Sequence, residues 1–237
     1  MKKYIKRGII ALIAIIVLVC GIIVFRGHQQ YLAVINDKSL SDTVDAVENK
    51  QEFVHLDAMN PLFISATINT EDSRFYTRKA ILDFEALGRA TLQNLRAKSL
   101  VEGASTIPQQ VAKNLYFEET TTFTRKVAEY FVTRDLLQNY SKDEILELYL
   151  NMNYYGDGFY GIYDASYGYF KVHPKDLNDG QATLLAGLPQ APSYYALSTN
   201  FEGARERQKH VLSRMVDEGI ITQQQADDIF AINVYGG

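Results

Sequence analysis

From Gly8 to Phe25 the chain runs without a charged residue. That length suffices for a helix to cross the hydrocarbon core of a bilayer. Lys2, Lys3, Lys6 and Arg7 precede the run, and an excess of cations on one flank places that flank in the cytoplasm. A cleaved signal peptide would have a shorter apolar core closing on small residues, whereas this one closes on Ile22-Ile23-Val24-Phe25-Arg26. We read an uncleaved anchor. Cys20, the one cysteine, sits inside it, so the sequence holds no internal disulfide, and Val19 is not the small residue that a lipoprotein cleavage site needs. The chain then divides into a cytoplasmic tip and anchor over 1–26, a polar connector over 27–52, and a domain over 53–237.

The 237 residues, 47% of them hydrophobic, allow one globular domain behind the anchor. A formal net charge of −4 argues against general nucleic-acid binding. From Pro61 onward the periodicity is helical almost throughout. Pro61 suits a first helical position, although Leu62, Ile64, Ala66 and Ile68 alternate in part. Ile81 to Lys98 places Ile81, Phe84, Leu87, Leu92 and Leu95 near one stripe and Arg89 and Arg96 on the other face. Ser141-x-x-Glu144 and Thr222-x-x-Gln225 are capping boxes that open helices running to about Asn151 and Phe230. Between them Tyr154 to Gly161 is a Gly- and Tyr-rich turn, and Pro189 to Pro192 interrupts the chain. The class expected is mostly α.

The chemistry concentrates between Glu71 and Glu129. Glu71-Asp72-Ser73-Arg74-Phe75-Tyr76 supplies carboxylates, Gly103 to Leu115 supplies hydroxyls, amides and Lys113, and Arg125-Lys126 precedes Glu129. Each part has a plain structural reading. An acidic pair is commonly a helix end, Arg125 and Lys126 can pair with Glu129 on a solvated helix face, and Ser105-Thr106 is an ordinary helix start. Together they suit a transfer reaction. A carboxylate within reach of a hydroxyl can take its proton, and the acidic neighbour Asp72 would make Glu71 more basic. Fixed cations stabilise an anionic leaving group.

These segments resemble the peptidoglycan glycosyltransferases, the polymerases of lipid II, in their monofunctional, membrane-anchored form. The matching residues are Glu71 to Phe75, Gly103 to Ile107 with Gln109, Gln110, Lys113 and Asn114, Arg125-Lys126 with Glu129, Lys142 to Asn151, and Ala186 to Ser193. Five ordered motifs over roughly Phe53 to Phe230 carry the likeness. It implies a lysozyme-like helical lobe, a smaller membrane-proximal lobe and a cleft between them.

The resemblance also implies roles. Glu71 would be the general base for the sugar 4-hydroxyl, which attacks the anomeric carbon of the growing chain with inversion and release of undecaprenyl pyrophosphate. Glu129 would be the second catalytic carboxylate, on the donor side. Lys113 would neutralise the pyrophosphate, with Arg74, Arg125 and Lys126 as further cations, and Asp72, Ser105, Gln109 and Gln110 would contact substrate. No cofactor is required and no protein metal site is expected, a magnesium or manganese ion at the pyrophosphate being an optional aid. The partners implied are lipid II, the growing glycan strand, the membrane and other cell-wall synthesis proteins, with the catalytic domain outside the cell membrane.

This chain departs from the family where Thr77-Arg78-Lys79-Ala80 stands in place of a usual His and Gly, and where Pro108 replaces a usual Thr. Glu118 to Thr124 lacks an extra Arg, and Phe170-Lys171 lacks a following Gly. A catalytically impaired lipid II-binding or scaffold protein is the alternative, and a glycan hydrolase a third. Retention of both carboxylates and of Lys113 favours the polymerase, because hydrolysis has no pyrophosphate to stabilise. Neither Ser-x-x-Lys nor Lys-Thr-Gly occurs, so no transpeptidase half and no covalent β-lactam target is expected.

Overall fold

The apolar run is part of one continuous helix, α1 (Lys2–Asp37), in a computed structural model that describes residues 2–83, 88, 105–117, 122 and 124–235. The helix is long and apolar enough to cross a membrane, and its apolar window is bare. It does not end where the run ends. Its last third packs on the domain, with Tyr31 in the core and Leu32, Val34 and Ile35 against it. A second helix, α2 (Leu40–Glu48), adds Val44 and Val47 to that core. The stretch 27–52 is therefore not a polar connector: its acidic residues face outward and hide a thin apolar stripe that the domain covers.

Asn60 caps the next helix, α3 (Pro61–Glu71), its side-chain oxygen accepting from the N–H groups of Leu62 and Phe63 at 2.7 and 3.1 Å. Pro61 takes the position that costs a helix no hydrogen bond. The partly alternating pattern is therefore helical. The helix read over Ile81 to Lys98, with Arg89 and Arg96, lies outside the described residues from Phe84 on apart from Gly88, as do Gly103, Ala104, Glu118 to Thr121 and Phe123.

The remaining helices are α4 (Ile107–Tyr116), α5 (Arg125–Asn139), α6 (Lys142–Met152), α7 (Ile162–Phe170), α8 (Asp179–Gly187), α9 (Phe201–Asp217) and α10 (Gln223–Ala231). Both capping boxes are present and open α6 and α10. Among the described residues the extended structure is one bridge, Tyr154 to Tyr160, closed by a turn in which Gly156, Asp157 and Gly158 all have positive φ. The mostly α class holds. α8 lies against α3, α9 and α10, α4 against α5 and α6, and α1 against α5. Asn151 locks the chain ahead of α3 onto α6, its amide oxygen accepting from Val54 N–H and its Nδ2 donating to Val54 C=O, both at 2.8 Å. Glu147 accepts from Leu56 N–H at 2.8 Å. Glu147 and Asn151, two of the polar residues in the Lys142 to Asn151 motif, thus serve the fold.

Candidate active site

The site is assembled by α4 and the two residues before it. Thr106 N–H donates to Gln109 Oε1 at 2.9 Å, closing the N-terminus of α4, and Pro108 sits in the first turn where its missing N–H is harmless. One turn on, Gln110 Nε2 donates to Glu71 Oε2 at 2.9 Å. Just ahead of the helix, Ser105 Oγ lies 3.3 Å from Lys126 Nζ, which in turn stands 2.8 Å from Glu129 Oε2. One short segment therefore reaches both carboxylates.

Glu71 is the last residue of α3, its side chain 12% exposed. Oε2 is taken by Gln110. Oε1 faces Arg207 Nη2 at 3.8 Å, beyond hydrogen-bond length. Arg207 comes from α9 and donates through Nε to Gly187 C=O at 3.2 Å. Burial pulls its pKa down, and Glu71 opposes that by favouring the charged form. Tyr149 and Tyr155 also line the carboxylate, and burial first, then the Glu71 charge, pushes both phenols up. The Tyr149 hydroxyl and Asn153 Nδ2 are buried without a hydrogen-bond partner among the described residues. Asn153 Oδ1 accepts from Asn114 Nδ2 at 3.2 Å.

Asp72 turns away from its neighbour. Arg78 grips both its oxygens, Nη2 to Oδ2 at 2.7 Å, and Oδ2 also accepts the N–H of Ile107, the first residue of α4, at 3.1 Å. Its charge is matched by Arg78, and together with the Ile107 N–H this gives Asp72 a structural role at the start of α4. Arg74 pairs with Asp83, which also meets Arg78 at 3.5 Å. Gln109 spends its carbonyl on the cap. Of the expected substrate contacts, Gln110 is brought to Glu71 and Ser105 to Lys126.

Glu129 is fully buried in the first turns of α5, with Arg125 on one oxygen and Lys126 on the other. A solvated helix face is excluded, since burying a carboxylate demands this pairing. Lys113 is half-buried on α4, three residues past Gln110 and so on the same side, and makes no ion pair among the described residues. A cavity of about 230 Å³ between Val47, Glu52, Asn151, Tyr160 and Asp164 contains none of these groups.

Arg78, Tyr149 and Arg207 went unread in the sequence. Arg207 carried a signal: it lies three residues after Ala204 and four before Val211 on the buried stripe of α9, a position where a cation needs a partner. Tyr149 likewise puts a hydroxyl in the apolar stripe of α6.

A family model described as Transglycosylase matches residues 37–216. Penicillin-binding protein 2D of Bacillus subtilis is 47% identical over 180 residues, covering 76% of this chain and 26% of that protein. Penicillin-binding protein 1A of Neisseria flavescens is 42% identical over 180 residues, covering 76% and 22%. Penicillin-binding protein 1F of Bacillus subtilis is 36% identical over 239 residues, covering 95% of this chain and 33% of that protein. The chain thus spans a third or less of the length of these relatives. With a match over most of its length, the chain belongs to the transglycosylase family.

Proposed function

We propose that this chain polymerises lipid II into peptidoglycan glycan strands from a membrane anchor, with its N-terminus in the cytoplasm and its catalytic domain outside. The observation that carries this reading is the state of Glu71: one oxygen is fixed by Gln110, while the other has its nearest cation among the described residues at 3.8 Å and is left to accept a proton. Glu71 takes the proton of the acceptor sugar 4-hydroxyl as that oxygen attacks the anomeric carbon of the donor. The bond to undecaprenyl pyrophosphate breaks with inversion. Lys113, on the same side of α4 as Gln110 and without an ion pair among the described residues, neutralises the departing pyrophosphate. Lys126 and Arg125 hold Glu129 and add positive charge at the first turn of α5, where the helix N-terminus favours anions.

The donor set does not suit a divalent cation at Glu129, because a cationic side chain stands against each of its oxygens.

The test is incubation of the purified full-length protein with labelled lipid II, scored for polymer on a gel. Ladders of polymer are expected. Lipid II bound without polymer would replace this reading by the scaffold alternative.

A further inference from the structure

Exposure along α1 changes at one residue. From Tyr4 to Arg26 every residue is exposed except the half-buried Ile23; Gly27 is buried, and Tyr31, Val34 and Ile35 continue a covered stripe at helical spacing. The apolar run ends at Phe25, two residues earlier, or about 3 Å along a helix axis. The domain takes hold of α1 where a bilayer would release it.

It does so with the first turn of α5. A Cβ on Gly27 would stand 2.4 Å from Val127 Cβ and 2.9 Å from Thr124 C=O, so no other residue lets the two helices approach this closely. Thr124 Oγ1 lies 3.0 Å from Gln30 Oε1, and His28 stands edge-on to Phe131 with ring centroids 4.8 Å apart. Further along, Tyr31 donates to Asp135 Oδ2 at 2.5 Å. Contacts at both Thr124 and Asp135 fix tilt as well as height. α1 is continuous from Lys2 to Asp37, so no hinge intervenes.

We infer that α1 is a strut of fixed length, with Gly27 as its positioning residue. It holds the first turn of α5, and with it Arg125 and Lys126, at the depth of the phosphate layer of the bilayer. A membrane-embedded substrate then meets those cations with its phosphates at their own level. The inference rests on the proposed function for what is transferred; the depth itself does not.

The test uses the full chain in liposomes of phosphatidylcholine and phosphatidylglycerol. Cys20→Ser and Thr122→Cys place one environment-sensitive fluorophore beside the first turn of α5, and its depth is read by lipids brominated near the headgroup or deep in the acyl chain. Inserting Gln-Glu-Gln-Lys between Arg26 and Gly27 lengthens the strut by about 6 Å and leaves the Gly27–Val127 contact intact. The expected result is strong headgroup-level quenching in the parent, falling at least about two-fold on insertion. The rate on lipid II in the liposomes should fall about ten-fold or more, while the rate on a water-soluble short-chain lipid II analogue stays within about two-fold. Gly27→Leu should give the same pattern by prying α1 off α5. Unchanged quenching after the insertion, or displaced label with an unchanged liposome rate, overturns the strut. If the parent makes no polymer from either substrate, the proposed function fails, and the quenching alone still decides the depth.

Discussion

Arg207 Nη2, carried by α9, stands 3.8 Å from Oε1 of Glu71 at the end of α3, with side chains only 10% and 12% exposed. The guanidinium is the one cation paired with that carboxylate among the described residues, and it arrives through space left by Gly187. A Cβ there would lie 2.9 Å from Arg207 Cγ and 3.2 Å from Val211 Cγ2.

Glu71→Gln should lower the rate of polymerisation by about two to four orders of magnitude, the usual cost of losing a general base. It should also lower the melting temperature, because it leaves a buried guanidinium without its counter-charge. Paired rate and melting measurements check both. Near-parental turnover removes Glu71 from the mechanism.

Gly187→Ala should displace the Arg207 stem and lower kcat with little change in KM for lipid II, since the acceptor is mis-set rather than unbound. A rise in KM at constant kcat would assign Arg207 to binding instead.

Asp72→Asn should cost about 3 kcal/mol of stability, the lower end of the range for breaking a buried ion pair, because Arg78 keeps Asp83 as a second partner. Denaturant titration measures it. A stable variant with a raised KM would return Asp72 to the substrate contacts.

Lys113→Ala should lower turnover without altering the melting temperature, whereas Lys126→Ala should lower both. Lys126 partners a carboxylate with no exposed surface, and Lys113 partners no carboxylate among the described residues. Small and equal losses of turnover would make both cations surface features.

Glu144 accepts from Ser141 N–H at 2.6 Å in the capping box of α6, and the Ser141 side chain and backbone hold its carboxyl below the usual value. Folding therefore favours the charged form. Its contribution is present above the unfolded value near 4.5 and is lost as pH falls through the lower folded value. Glu144→Gln should be less stable than the parent at neutral pH, with the gap closing in acid. Melting curves across that range decide.

What was legible in the sequence had local causes. Pro61 after Asn60, and Ser141 and Thr222 three residues ahead of Glu144 and Gln225, mark helix starts through hydrogen bonds spanning two or three residues. Glu71 and Glu129 stand out in the sequence through their motifs, and their burial needed the structure. That Asp72 turns away from Glu71 was not legible, because the backbone leaves the helix at Asp72 (φ −158°, ψ 71°) and sends successive side chains apart. Arg78 and Arg207 act through partners that only the assembled domain brings near. The stretch 27–52 misled for another reason: its few apolar residues are spaced along two helices, and nothing local says that α5 and α6 will cover them.

The Tyr31–Asp135 bond joins residues 104 apart, and that separation has a temporal consequence during biosynthesis. At roughly 5–20 residues per second, α1 is made about 5–20 s before its partner helix. For that interval Gly27, Tyr31 and Val34 form a ridge that the domain does not yet cover. Nascent chains are then exposed to mispairing along one another's α1, and the ridge is quenched only once α5 has been made.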